Sequence, residues 1–550
     1  MGGPSGDPGA APLLGSSSPV ALQRVPRDVS WGYLYFLSYA AVIAGGVYGW
    51  FHRNPDFLKV SYSYLADPAH CPLPSGFTDL ATYVDKASPP PVDLAALFRQ
   101  SAWWIAGSVA LSAVVGGLFV AAFEKAAGVA TRATVYVQVA VPLLVGVSLL
   151  LGGASGPATA ALLAAAVAAW CMWLWRDQIE LAARLLGVAG AGLRANPHLI
   201  TTSLALSLSA AALGLPLLVS LALAASTGRV VPSTAAARVL PAEGRCLDAD
   251  GKTTLCCGLA EPAWVALYSP FAALVGLWTA LLADQIRTFV VSAVVSLWYF
   301  APASSGAAAG RGTTRWAVRA ALGPQFGSCS LGALVIAIAE MARDAADRAS
   351  GRGGGGDDGS SPGLLAVLFS CLVSCLAAGL EYLTRFATVF AAISGDSLLT
   401  AGRKVTDLLA RNFLDAFAST AWFAPMVVQL AALSLALSWG FFAGGAYYLI
   451  HPAPSHPAAA QANSPVIASC LVGGLAGLSA LFVLGYLGGV LLAVLDAVFV
   501  CWAIDKDRGE TAAIEEIQEA FESLPIGRPV ALPDGSIAYG APPGNVQARV

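Results

Sequence analysis

LTRFATVFAAISGDSLLTAGRKVTDLLARNFLDAF, residues 383–417, sets the problem this chain poses. An aromatic-rich apolar run leads to Ile393, and a polar segment carrying Gly395, Asp396, Gly402, Arg403 and Lys404 follows before the apolar character resumes. In a soluble protein such a segment reads as a surface loop. The rest of the chain makes that reading inadequate. Of its 550 residues 57% are hydrophobic and 11% charged, with a mean hydropathy of +0.68. Soluble domains carry about 25% charged residues, so the composition is that of a polytopic membrane protein whose first partner is the lipid bilayer. A net charge of −3 argues against a nucleic-acid binder. The abundant Ala and Gly suit helices that approach closely in lipid.

Working outward, a span needs about 20 mostly apolar residues. Ten candidates emerge, at 31–51, 101–123, 133–153, 157–175, 199–225, 264–282, 322–342, 363–381, 416–449 and 465–502. The expected fold is therefore all-α, a polytopic integral membrane protein of about ten transmembrane helices. Outside loops are expected at 52–100, 226–262 and 450–464, within a membrane domain covering 31–502. The Lys/Arg bias of the short loops puts both termini in the cytoplasm. Residues 1–30 are Gly/Pro/Ser-rich and read as a disordered cytoplasmic tail, and 503–550 as a cytoplasmic C-terminal tail. Residues 176–195 have a weakly amphipathic pattern, that of an interfacial or connecting helix.

Enzyme motifs are missing: there is no G-x-S-x-G, H-E-x-x-H or phosphate-binding G-x-x-x-x-G-K-[ST]. The chain is expected to be no enzyme and to need no cofactor or metal. Cys71, Cys246, Cys256 and Cys257 fall in the outside loops, where disulfides form. Charge within spans is costly and marks pathways. Four carboxylates stand there: Asp284 after span six, Glu340 late in span seven, Glu381 closing span eight and Asp496 late in span ten. Trp264, Tyr268, Trp278, Trp298 and Tyr299 gather in and after span six. Aromatic faces hold quaternary ammonium groups, and they also form interfacial belts. Both readings stay open here.

Four blocks in order carry a resemblance: ADQIRTFVVSAVVSLWYF (283–300), FGSCSLGALVIAIAEMAR (326–343), the opening stretch (383–417) and VLDAVFVCWAIDKDRG (494–509). Together they resemble the choline transporter-like family. Thr388 stands where the family stretch usually has Tyr, and Asp396 where it is often basic or polar. A first outside loop of about 50 residues suits a plant or fungal member, similar to the yeast pH-sensitive-growth homologue. The resemblance implies a transporter that moves choline or a related organic cation, at the plasma membrane or else a Golgi or endosomal one. The alternatives are a different solute, or a trafficking or scaffold protein. Trp278, Trp298, Tyr299 and Asp496 become candidates for substrate binding. Gly395, Asp396, Arg403, Lys404 and Arg411 become candidates for a structural or gating role. Oligomeric state is left open.

Overall fold

A computed structural model describes residues 20–54, 136–148, 150, 155–174, 176–232, 238–240, 245–247, 253–254, 257–301, 313–349, 364–412, 414–450, 465–508, 529–531 and 537–539, with scattered positions between 103 and 118. The described residues are dominated by helices. In chain order these are α1 (Val29–Phe51), α2 (Tyr136–Ser148), α3 (Ser155–Leu174), α4 (Arg176–Ala195), α5 (His198–Ala225), α6 (Ala263–Tyr299), α7 (Thr313–Leu322), α8 (Phe326–Ala349), α9 (Leu364–Ser394), α10 (Leu398–Asn412), α11 (Leu414–Ile450) and α12 (Pro465–Arg508). Between α5 and α6, β1 (Arg229–Pro232) pairs antiparallel with β5 (Cys257–Ala260), while β2 (Arg238–Leu240), β3 (Arg245–Leu247) and β4 (Thr253–Thr254) form a three-stranded sheet. A last short pair, β6 (Pro529–Ala531) and β7 (Ile537–Tyr539), lies near the C-terminus. Cys257 is buried and disulfide-bonded. Cys246 lies in β3, and Cys71 and Cys256 lie outside the described residues.

Seven helices among the described residues are long and apolar enough to cross a bilayer: α1, α5, α6, α8, α9 (from Val367), α11 (Pro425–Tyr448) and α12 (from Ser469). They account for seven of the ten spans expected from the sequence. The other three fall between 101 and 175. There the first lies largely outside the described residues, and α2 and the apolar part of α3, Ala161–Trp170, are shorter than a span.

Two helices run past their apolar spans. α6 continues from 282 through Asp284 and Arg287 to Tyr299, a continuation the sequence already suggests, and α9 continues past 381 to Ser394. The extension of α9 has a simple cause. Nothing breaks the helix before Gly395, whose φ of +76° is the left-handed conformation that only glycine adopts without strain. Its N–H closes the last turn on the Ala391 carbonyl at 2.9 Å. Glu381 therefore sits in mid-helix instead of at a span end.

The interior forms around α6 and α12. From Val490 to Ile504 nearly every α12 side chain is buried, as are those from Thr288 to Ser296 on α6. A helix apolar on all sides has to be surrounded by others. α12 is clamped to α11 by small residues. A Cβ placed on Gly473 would come within 2.7 Å of the Gly440 carbonyl, and one on Gly444 within 2.9 Å of the Ser469 carbonyl. Gly440, Gly444, Gly473 and Gly477 thus form paired small-xxx-small faces, where backbones touch and dispersion replaces the hydrophobic drive that lipid cannot supply.

Because backbone meets backbone here, a larger side chain cannot be absorbed by rotamer change. Gly473→Val is expected to cost about 1–3 kcal/mol, read as a lower thermal unfolding midpoint in detergent. Gly474→Val, where nothing stands within 4 Å of an added Cβ, is expected to leave the midpoint nearly unchanged.

Candidate functional site

The four intramembrane carboxylates converge on one region of the bundle. Asp496 lies within the buried run of α12 and pairs with Arg385 of α9 at 2.6 Å. Asp284 pairs with Arg287 one turn on along α6. Glu340 pairs with Arg343 along α8 at 3.6 Å. Arg385 also feels Asp284 and Glu381, and Glu381 in turn feels Glu340, Arg343 and Asp284. Four carboxylates and three guanidinium groups from four helices thus share one electrostatic neighbourhood. Each arginine has its own carboxylate partner. Glu381 is the carboxylate of this cluster left without an ion pair among the described residues.

The position of Glu381 is informative. On α9 it follows Ala377 by four residues and precedes Thr384 by three, so all three lie on one helical stripe. Ala377, Thr384 and Thr388 on that stripe are buried. The opposite side of α9 presents Leu372, Leu376, Leu380 and Leu383, all exposed and suited to lipid. Glu381 is nevertheless exposed. This accessible carboxylate stands beside Asp284 and Glu340. Those two are partly accessible as well, with side chains 47% and 35% exposed. Toward the C-terminal end of α9 the neighbouring helices pack closely. Thr388 donates to Gln285 Oε1 at 2.6 Å, and an added Cβ on Gly332 would touch both Thr384 and Gln285.

Two aromatic side chains stand beside this cluster. Tyr382, next to Glu381, lies within electrostatic reach of Arg385, Glu381 and Asp496. Tyr486 of α12 lies within reach of Arg287 and donates to the Ile200 carbonyl at 2.7 Å. The aromatics expected from the sequence lie elsewhere. Trp278 is buried against α1 and α8, edge-on to Tyr35 at 5.3 Å, and its Nε1–H donates to the Ser330 carbonyl at 2.9 Å. Trp298 packs near Gly192 of α4 and Val494 of α12. Tyr299 is buried, edge-on to Phe300 at 4.9 Å. Trp278 and Trp298 are about 30 Å apart along one helix, so they cannot enclose one small cation. The structure gathers Asp496 into the charge cluster and the other three into packing positions. A Tyr one residue from an intramembrane Glu was the available signal for Tyr382.

The polar stretch after Gly395 ties helix ends together. Lys404 pairs with Asp396 at 2.7 Å. α10 buries Leu398, Ala401, Val405 and Leu408 and leaves the Arg403 and Lys404 face more open. Arg411 lies in the last turn of α10. Gln325 donates to the Gly395 carbonyl at 3.0 Å. The strongest tie comes from residues 20–28, which composition places in the N-terminal tail. Asp28 begins α1, accepts from Ser328 at the start of α8 at 2.7 Å, and accepts the Leu398 N–H at the start of α10 at 3.0 Å. One carboxylate, placed just before α1, thus joins the starts of α8 and α10, and at α10 it meets a free N–H and the helix dipole, which favour negative charge.

Residues 159–507 match the model of a family described as plasma-membrane choline transporter, which covers well over half of the chain. A comparison with curated proteins finds no match. The matched range contains every member of the charge cluster.

Breaking a mostly buried ion pair strands the remaining charge. Asp496→Ala and Arg385→Ala are each expected to cost about 3 kcal/mol, and the double substitution less than their sum, with a coupling of about 1–3 kcal/mol. Unfolding measurements in detergent across the four-member cycle check this, and additive losses would contradict it.

Proposed function

Since the chain belongs to the plasma-membrane choline transporter family, we propose that it carries choline or a closely related organic cation across the membrane, with the surplus carboxylate Glu381 as the anchor for the positive charge. The family is that of membrane transporters, and seven helices able to span a bilayer supply the body such a protein needs. Glu381 is the observation that carries the reading. An accessible carboxylate with no ion pair among the described residues, beside three matched pairs, leaves one negative charge to be balanced. A bound monovalent cation balances it.

A quaternary ammonium has no N–H to donate, so its recognition rests on charge and on aromatic faces. Tyr382 and Tyr486 are the aromatic side chains at hand. Asp496 then holds Arg385 in place and leaves Glu381 free for the cation. In this reading the helical ends tied by Asp28 face the cytoplasm, both termini are cytoplasmic, the region from 101 to 175 completes about ten spans, and the protein works at the plasma membrane. The Lys/Arg distribution and the family's description support these assignments.

Uptake of labelled choline into vesicles bearing the purified full-length protein tests the proposal. Saturable uptake above that of empty vesicles is expected. Glu381→Gln is expected to raise KM about tenfold, the loss of about 1.4 kcal/mol of charge attraction. No saturable uptake would remove choline as the substrate, and an unchanged KM in Glu381→Gln would remove Glu381 from the site.

A further inference from the structure

The polar seam does not end at the charge cluster. On α9 it passes from Glu381 through Thr384 and Thr388 to the carbonyls of Ala391 and Ala392, about 15 Å further along. On α6 it passes from Asp284 through Gln285 and Thr288 to Phe289. On α8 it is completed by Ser328 and the buried Cys329. All three lines end at the same object, the N-terminal segment 20–28.

This segment crosses the helix ends like a strap. Val20 is buried, and Ala21 N–H donates to the Ile393 carbonyl at 3.0 Å. Arg27 N–H donates to the Pro324 carbonyl at 3.0 Å. Between these anchors Arg24 reaches inward. Its two terminal nitrogens donate to the carbonyls of Ala391 at 3.0 Å and Ala392 at 2.5 Å. The guanidinium lies 5.2 Å from the ring centres of both Phe289 and Trp316. Arg24 thus caps the C-terminus of α9, where the helix dipole favours a cation, and stoppers the seam between two aromatic rings.

We infer that residues 20–28 form the gate at this end of the transport path, with Arg24 as its latch, and that the strap leaves the helix ends each time the substrate passes. The inference rests on the transporter reading above. Its contacts have the character of a latch. Among the described residues the arginine donates to backbone carbonyls, which water can satisfy once the strap lifts. Its Nε is buried and has no partner among the described residues. Burial also pushes the Arg24 pKa down to about 10, so the charge is held in an environment that disfavours it. The strap approaches Gly395 closely, because an added Cβ there would lie 3.2 Å from Ala21 Cβ. The left-handed glycine is what lets the chain pass.

Cys329 lies behind the latch and is 1% exposed, so its thiol reports opening without reference to any substrate. In full-length protein reconstituted in vesicles, an impermeant maleimide applied from the strap side is expected to label Cys329 about tenfold faster in Arg24→Ala than in wild type, as expected for an opening equilibrium shifted by about 1.4 kcal/mol. Labelling is read by mass spectrometry of the Cys329 peptide. Equal rates in the two proteins overturn the latch.

A second arm avoids dependence on the folding of Arg24→Ala. Ala21→Cys combined with Gly395→Cys places the two Cβ atoms near disulfide distance, with Gly395→Ala as the control for a side chain at that φ. Oxidation is expected to abolish both choline uptake and Cys329 labelling, and reduction to restore both. A verified crosslink with undiminished uptake overturns the gate. If wild type shows no saturable choline uptake, the transport reading has failed, and Cys329 labelling in the crosslinked and reduced protein still judges whether the strap moves.

Discussion

A charge inside a membrane span has to be matched where it stands, because lipid offers neither water nor counterions. That constraint organises the bundle. Two of the three arginines in the cluster are matched along their own helices, Arg287 by Asp284 and Arg343 by Glu340. These pairs would form in any arrangement of neighbours. The third match, Arg385 to Asp496, joins α9 to α12 and fixes how those helices register. Once that register is set, Phe386 meets Phe499 edge-on at 6.2 Å. The lower halves of α6 and α12 then become the interior. Glu381 is what the matching leaves over, and the functional reading follows from that remainder.

The same logic at the helix ends uses backbone groups instead of side-chain pairs. Every helix leaves N–H groups free at its start and carbonyls free at its finish. Here residues 20–28 serve both needs. Asp28 takes N-terminal donors, and Arg24 takes C-terminal carbonyls. Four residues apart, an acid and a base close opposite kinds of helix end. An added Cβ on Gly327 would approach the Asp28 carbonyl within 2.1 Å, so the segment is seated tightly. Such bonds are strong when dry and readily exchanged for water, which is what a reversible closure requires.

Much of this was legible in the sequence. Hydropathy placed the seven helices that can span a bilayer, because burying apolar residues in lipid imposes a length of its own. It also flagged Asp284, Glu340, Glu381 and Asp496, since charge within an apolar run is conspicuous. What it could not show is pairing across helices. Nothing in the local sequence says that Arg385 meets Asp496, over 100 residues away. Trp278 and Tyr299 were open to both a cage and a packing reading, and the structure gives both buried packing contacts, because a tryptophan in lipid is conspicuous for either reason. The strap was invisible for the opposite cause. Its Gly/Pro/Ser-rich surroundings resemble a disordered tail, and its order comes from contacts with residues more than 290 positions away. Glu381 was seen but misplaced at a span end, because hydropathy falls at the polar residues while the helix itself continues to Gly395.

In the proposed transporter a cation binds against Glu381, the carboxylate of the α6–α8–α9–α12 cluster without an ion pair among the described residues. Choline titration of the purified full-length protein, followed by its thermal unfolding midpoint, tests this most directly, since a ligand that binds only the folded state raises that midpoint. A saturable rise is expected in wild type, lost in Glu381→Gln and kept in Trp298→Phe. A rise of equal size and concentration dependence in Glu381→Gln would contradict it.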